Sequence, residues 1–217
     1  MNKHPCLKKT CLFLCSSFFV VFLQILLFLS CNSDYNLTGV NSPDPGIIRI
    51  YIKSDNTDDT INIAGDTVSV GRDSDFFELS IGQGRAYRES NYAILYKSIH
   101  QESMDSYREL TKVLNIIERD RNTFNEFLIF ESYLPPATID SLRLSITSSF
   151  LQIGFYQIPI EMPEDMGPLV TFDQKFEIHE DRVTEIHLSI KPFQSLVRVG
   201  DSYHFHIDIE VWEIKYL

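Results

Sequence analysis

The sequence predicts a mainly β protein, an antiparallel β-sandwich with one inserted amphipathic helix. Three observations predict it. Apolar and polar residues alternate with period two in one segment after another, as in strands buried on one face. A single segment instead repeats its apolar residues every three or four positions. No run alternates strand and helix in the order that parallel α/β folds need.

Ile48, Ile50 and Ile52 alternate with Arg49, Tyr51 and Lys53, which predicts an opening strand from Ile47. Residues 54–60, rich in Asp and Asn, read as a loop. Strands are expected at 67–70, 76–81 and 92–98, with 71–75 and 82–91 as connections. Met104, Tyr107, Leu110, Val113, Leu114 and Ile117 then recur at spacings of three and four. With Ser103 as an N-cap, they predict a helix over about 103–121 that buries its stripe in its own domain. Strands resume at 127–131, and Pro135-Pro136 breaks the chain. Leu142, Leu144 and Ile146 alternate with Arg143, Ser145 and Thr147. Further strands are expected at 151–160, 170–178 and 183–190, with a loop around Pro163 and Gly167 and a turn at Glu180-Asp181. In the last strand Tyr203, Phe205, Ile207, Ile209 and Val211 share one face, and His204, His206, Asp208 and Glu210 the other.

The N-terminal segment has a different character. Lys3, Lys8 and Lys9 make a basic start, and residues 10–30 carry no charge and are dominated by Leu, Phe and Val. The stretch ends Leu26-Leu27-Phe28-Leu29-Ser30-Cys31, which resembles the lipobox of bacterial lipoproteins. A lipid alkylates the cysteine thiol, and the peptidase needs a small side chain, here Ser30, before the cut. The expectation is a lipoprotein signal peptide over 1–30, lipidation (palmitate among the acyl groups) at Cys31, a flexible tether over 31–46 and a folded domain over 47–217. The turn-rich polar composition of 32–46, with Pro43 and Pro45, suits a tether. Two other readings stay open: an uncleaved apolar helix of about 20 residues that spans a bilayer, and an ordinary secretory peptide. All three carry residues 32–217 out of the cytoplasm, to a bacterial cell envelope, periplasmic or surface-exposed. Cys6, Cys11 and Cys15 precede the cut and no cysteine follows Cys31, so a mature chain has one thiol and no internal disulfide.

Formal net charge is −11, and without residues 1–30 it is −14, from 16 basic and 30 acidic side chains. Such a surface repels phosphate backbones and anionic headgroups, so no nucleic-acid partner is expected. Membrane attachment then needs the anchor.

Three stretches resemble a known bacterial family. They are Gly46 to Asp55, a glycine-led strand ending in Asp; Tyr133-Leu134-Pro135-Pro136 leading to Arg143-Leu144; and the closing run from Phe176 to Val211, FEIHEDRVTEIHLSIKPFQSLVRVGDSYHFHIDIEV. They are similar to domain of unknown function 4382, found in secreted and lipid-anchored proteins. The resemblance covers about 47–217 and implies a transthyretin-like β-sandwich and an envelope location. It implies no chemistry.

Few residues group as chemistry requires. His204, His206 and Asp208 share a strand face, and His187 sits on the preceding strand, so they are candidate zinc ligands set against a solvated polar face. Asp55-Asn56-Thr57-Asp58-Asp59 spaces oxygen ligands as a calcium loop does, without the glycine and closing glutamate of an EF-hand. Tyr87, Tyr92, Tyr156 and Trp212 are candidates for a sugar-stacking platform. No Gly-x-Ser-x-Gly elbow or phosphate-binding loop occurs, and Glu161, Glu164 and Asp165 are loop acids. The expectation is a non-catalytic, lipid-anchored envelope protein in a structural or recognition role. It has no cofactor, and its partner is an envelope protein or a glycan. The alternative is a carbohydrate- or metal-binding module.

Overall fold

The chain divides between Ser42 and Pro43. The computed structural model describes the second unit, residues 43–217, apart from 64, 71, 73, 97–111 and 163–168. The expected signal peptide over 1–30, Cys31 and most of the expected tether over 31–46 thus lie outside the described residues. Among those described, the structure is mainly β, in several sheets, with no helix. The strands are β1 (Gly46–Ser54), β2 (Thr60–Ile63), β3 (Asp66–Ser69), β4 (Phe76–Arg88), β5 (Asn91–Leu95), β6 (Lys112–Asn115), β7 (Arg119–Asp120), β8 (Thr123–Phe124), β9 (Glu126–Leu134), β10 (Ala137–Ile139), β11 (Ser141–Thr147), β12 (Phe150–Ile153), β13 (Tyr156–Glu161), β14 (Leu169–Phe172), β15 (Phe176–Ile178), β16 (Val183–Ile190), β17 (Leu196–Val199), β18 (Ser202–Phe205) and β19 (Ile209–Tyr216).

Two sheets dominate. A four-stranded sheet has the order β19-β16-β1-β9. A nine-stranded sheet runs β14-β11-β4-β12-β13-β18-β17, with β5 and β6 also paired to β4. In β1 the expected alternation holds along the whole strand: Ile48, Ile50 and Ile52 are fully buried, and Arg49, Tyr51 and Lys53 point outward. The same rule buries Leu142, Leu144 and Ile146 in β11 and Phe77, Leu79 and Ile81 in β4. All join one hydrophobic cluster fed by both sheets. At its centre Phe77 meets Phe193 and Phe205, each with ring centroids 5.8 Å away.

The structure corrects the sequence reading in several places. The pairing is not purely antiparallel: β1 runs parallel to β16, and β13 parallel to β18. The helical stripe does not form a helix over its described part. Residues 112–121 run as β6, a turn and β7. Leu114 lies opposite Leu79 in register, Val113 is 56% exposed, and the turn then buries Ile116 and Ile117. An alternating strand followed by a turn with two consecutive buried isoleucines mimics a helical spacing. The β-branched Val113, Ile116 and Ile117 suit extended backbone. Asn115 secures the segment, accepting from the Phe77 N–H and donating to the Asp75 carbonyl, both at 3.0 Å. Ser103, Met104, Tyr107 and Leu110 lie outside the described residues.

The expected connection over 82–91 is largely strand, since β4 continues to Arg88. Residues 151–160 form a hairpin turning at Gly154, whose φ is 55°, and 170–178 form two strands. β2 begins at Thr60, the last residue of the stretch read as a loop. The last strand is broken at 206–208, where the chain leaves the nine-stranded sheet and enters the four-stranded one. Ser195 holds the crossing: its carbonyl accepts the His206 N–H at 2.7 Å and its hydroxyl the Asp208 N–H at 3.1 Å.

Candidate functional site

The feature least explained by folding lies on the outer face of the nine-stranded sheet. Gly84 and Ala86 are buried, so the alternation of β4 turns Arg85 and Tyr87 outward. Leu142 and Leu144 do the same for Arg143 in β11, and β5 exposes Tyr92 and Ile94. Register sets these residues in two rows. Arg143 stands opposite Arg85, and Arg85 opposite Ile94; Ser141 stands opposite Tyr87, and Tyr87 opposite Tyr92. The two rings are 5.5 Å apart. Arg143 lies over Tyr87 at 4.5 Å and Arg85 over Tyr92 at 4.8 Å, within cation–π range. The result is a diagonal ladder of two guanidinium groups and two phenol rings.

Its electrostatics are unusual for so acidic a chain. Among the described residues neither Arg85 nor Arg143 is ion-paired. Arg85 instead donates Nε and Nη2 to Oε1 of Gln83, at 3.1 and 2.8 Å. Its hydrogen bond with Tyr87 lowers the Tyr87 phenol below its usual range, and the charge of Arg143 acts the same way. The same bond raises the Arg85 guanidinium.

The outer face of the four-stranded sheet carries a second polar cluster, and this one is closed on itself. His187, 6% exposed through its side chain, contacts Glu126 Oε1 through Nδ1 at 2.8 Å. It stacks on Tyr51 at 5.0 Å and meets Trp212 edge-on at 5.5 Å. Lys53 caps Trp212 at 4.0 Å, and Arg49 binds Glu131 at 2.6 Å. Burial, with Glu185 adding to it, raises the Tyr51 phenol. His187 Nε2 is buried without a hydrogen-bond partner, 3.7 Å from Glu185 Oε2.

The candidate metal ligands do not converge. His187 lies in this cluster on β16. His204 on β18 faces Glu161 at 3.6 Å, and His206 and Asp208 sit in the break before β19. No group of three His, Cys, Asp or Glu poised to hold a metal occurs among the described residues. Breaking the strand removed the shared face on which that grouping depended. The Asp55–Asp59 acids each have a partner of their own: Asp59 lies 3.9 Å from Arg119, and the other two accept hydrogen bonds. Asp55 accepts from the Thr57 N–H and hydroxyl, at 2.9 and 2.8 Å, which holds its carboxyl below the usual range. Asp58 Oδ2 accepts the N–H groups of Phe193 and Gln194, at 2.7 and 3.2 Å. Burial still outweighs both donors and raises the Asp58 carboxyl. Asp58 also borders an open cleft of about 510 Å³ with Asn62, Arg198 and Tyr203.

Of the four aromatic candidates, Tyr87 and Tyr92 meet, whereas Tyr156 is on β13 and Trp212 on the other main sheet. Arg85 and Arg143 escaped sequence reasoning. The signal was present in Arg85-Ala86-Tyr87, an alternation inside the stretch read as a connection. No family model, curated protein or solved structure matches the chain. The resemblance to domain of unknown function 4382 therefore rests on the residues that carry it.

Proposed function

We propose that this chain is a lipid-anchored protein of the bacterial cell envelope whose β domain is a non-catalytic recognition module. The domain is a β-sandwich: the four-stranded sheet and the nine-stranded sheet pack face to face over one core. Supporting this, the inward side chains of both sheets join a single cluster, and the Phe130 ring of β9 abuts Gly84 of β4. The transthyretin-like arrangement implied by the family resemblance accords with such packing. Anchoring is read from the uncharged run ending in Ser30-Cys31.

The observation that carries a recognition role is the Arg143–Tyr87–Tyr92–Arg85 ladder. It lies on the outer face of the sheet, is cationic and, among the described residues, is free of ion pairs, in a chain of net charge −11. Like charges directly opposite each other oppose sheet stability, and no acid among the described residues offsets the pair. Aromatic and arginine side chains are those enriched where surfaces bind partners. A glycan partner is favoured because Tyr92 keeps half its surface open for stacking.

Expression of the full chain in a bacterial host with radiolabelled palmitate, read by intact mass, tests the anchor. Label that vanishes in Cys31→Ala is the expected result. An unlabelled full-length mass replaces the lipoprotein with a membrane-spanning anchor, and an unlabelled shortened mass means ordinary secretion.

A further inference from the structure

The ligand class of the ladder follows from its chemistry, on the reading that the domain is a recognition module. We infer that Arg85, Arg143, Tyr87 and Tyr92 bind a glycan bearing carboxylates, of the uronic-acid class. Arg143 and Arg85 stand directly opposite in register on adjacent strands. The chain has 30 acidic side chains, yet none among those described neutralises either arginine. A carboxylate supplied by a ligand relieves their mutual repulsion and matches the planar fork of arginine in bidentate geometry. The tyrosine rings beneath hold each guanidinium in place, so little side-chain freedom is lost on binding.

The rest of the surface sets the ligand's form. Tyr92 is 52% exposed and offers a ring face to the apolar C–H face of a sugar. Thr171, opposite Arg143, and Ser141, opposite Tyr87, add neutral hydroxyls beside the charges. The ladder lies flat across β5, β4 and β11, a width of about 10 Å at the usual strand spacing. An open face of that width suits a chain of sugars lying across the strands. An acidic peptide meets the arginines but leaves Tyr92 without a ring partner. Salt screens the acidic remainder of the molecule beyond about 8 Å at physiological ionic strength, so the local patch governs the encounter.

Calorimetric titration of the full chain in detergent micelles tests the inference with three probes: oligogalacturonate, its methyl ester and poly-glutamate. The expected result is saturable binding of oligogalacturonate, weakened at least about ten-fold by esterification and by Arg85→Gln or Arg143→Gln. Tyr92→Ala weakens it several-fold, and Arg198→Gln, on β17, leaves it unchanged. Each arginine variant removes a repulsion along with a cation–π contact on the sheet surface, so the thermal midpoint should shift little, and a midpoint measured beside each titration separates loss of binding from loss of fold. Equal binding of the methyl ester, lost in Tyr92→Ala, overturns the carboxylate inference and leaves a neutral-sugar module standing. Poly-glutamate bound as tightly, with the same arginine dependence, overturns it in favour of an acidic polypeptide. No saturable binding of any probe overturns it as well, while palmitate labelling at Cys31 judges the anchor separately.

Discussion

Gly84→Ala tests whether the two main sheets press on each other through one contact. A Cβ added at Gly84 would stand 2.9 Å from Cζ of Phe130 and 3.1 Å from Cε1 and Cε2, the tip of the ring. Phe130 is fully buried and belongs to β9, whereas Gly84 belongs to β4. The ring is rigid and its surroundings are packed, so the methyl forces a shift of the ring or of a strand. Over-packing of this kind costs about 1–3 kcal/mol. Against it stands a gain of about 0.4–1 kcal/mol, because alanine restricts the unfolded chain more than glycine does. The net expectation is a loss of roughly 1–2 kcal/mol, or about 0.5–1 M in the urea midpoint if the slope is near 2 kcal/mol per M. Phe130→Leu by itself costs a similar amount through the space it vacates. In Gly84→Ala/Phe130→Leu the methyl occupies that space, and the double variant should be more stable than the sum by about 1 kcal/mol or more. Urea unfolding followed by far-ultraviolet circular dichroism of the four proteins completes the cycle. Additive losses, or an unchanged midpoint in Gly84→Ala, would refute the contact and the face-to-face packing that depends on it.

The remaining predictions concern the loop and the entry of the chain. Asp58→Ala leaves the N–H groups of Phe193 and Gln194 without their acceptor and should cost about 1–3 kcal/mol, whereas Asp58→Asn keeps an oxygen there and should cost far less. Because burial raises the folded-state pKa of Asp58, its protonated form stabilises the fold fully below the ordinary value of 3.8, and that contribution is lost as pH rises through the raised value. Urea midpoints of wild type and Asp58→Asn between about pH 4 and pH 7 should therefore show the variant gaining on the wild type as pH rises; parallel profiles would exclude the linkage. Gly46→Ala puts a Cβ against the His179 carbonyl and 2.6 Å from Cγ2 of Ile178. It should lower stability by about 1–3 kcal/mol, measurable by thermal unfolding, since a backbone atom cannot step aside as a side chain can. A variant as stable as the wild type would show that β1 enters the sheet differently.

Patterns carried by single strands were legible from the residues alone. Alternation of Ile48, Ile50 and Ile52 with Arg49, Tyr51 and Lys53 marked β1 and its buried face, and Leu142, Leu144 and Ile146 marked β11. Period two is a local property, imposed by the pleat on any strand half in water. The break at 206–208 was hidden for the same reason. The alternation from Tyr203 to Val211 runs through it, because β18 and β19 both turn apolar residues to one core while bonding to different sheets. The stripe from Val113 to Ile117 misled because a strand and a turn bury residues at the spacing of a helix.

The candidate site divides along the same line. Its residue types were in view, and Tyr87 and Tyr92 stood out as aromatics. Nothing local announces that Arg143, 58 positions after Arg85 in the sequence, is its direct cross-strand neighbour. Nor does anything local part His187 from His204. What the sequence determined by itself was the β character of the domain, its buried faces, its acidity and the uncharged apolar run that precedes Cys31. Tertiary structure alone decided which strands pair, in what register and in which sheet, because pairing is a contest among distant segments for the same hydrogen bonds and the same core. That contest set two arginines side by side and kept the histidines apart.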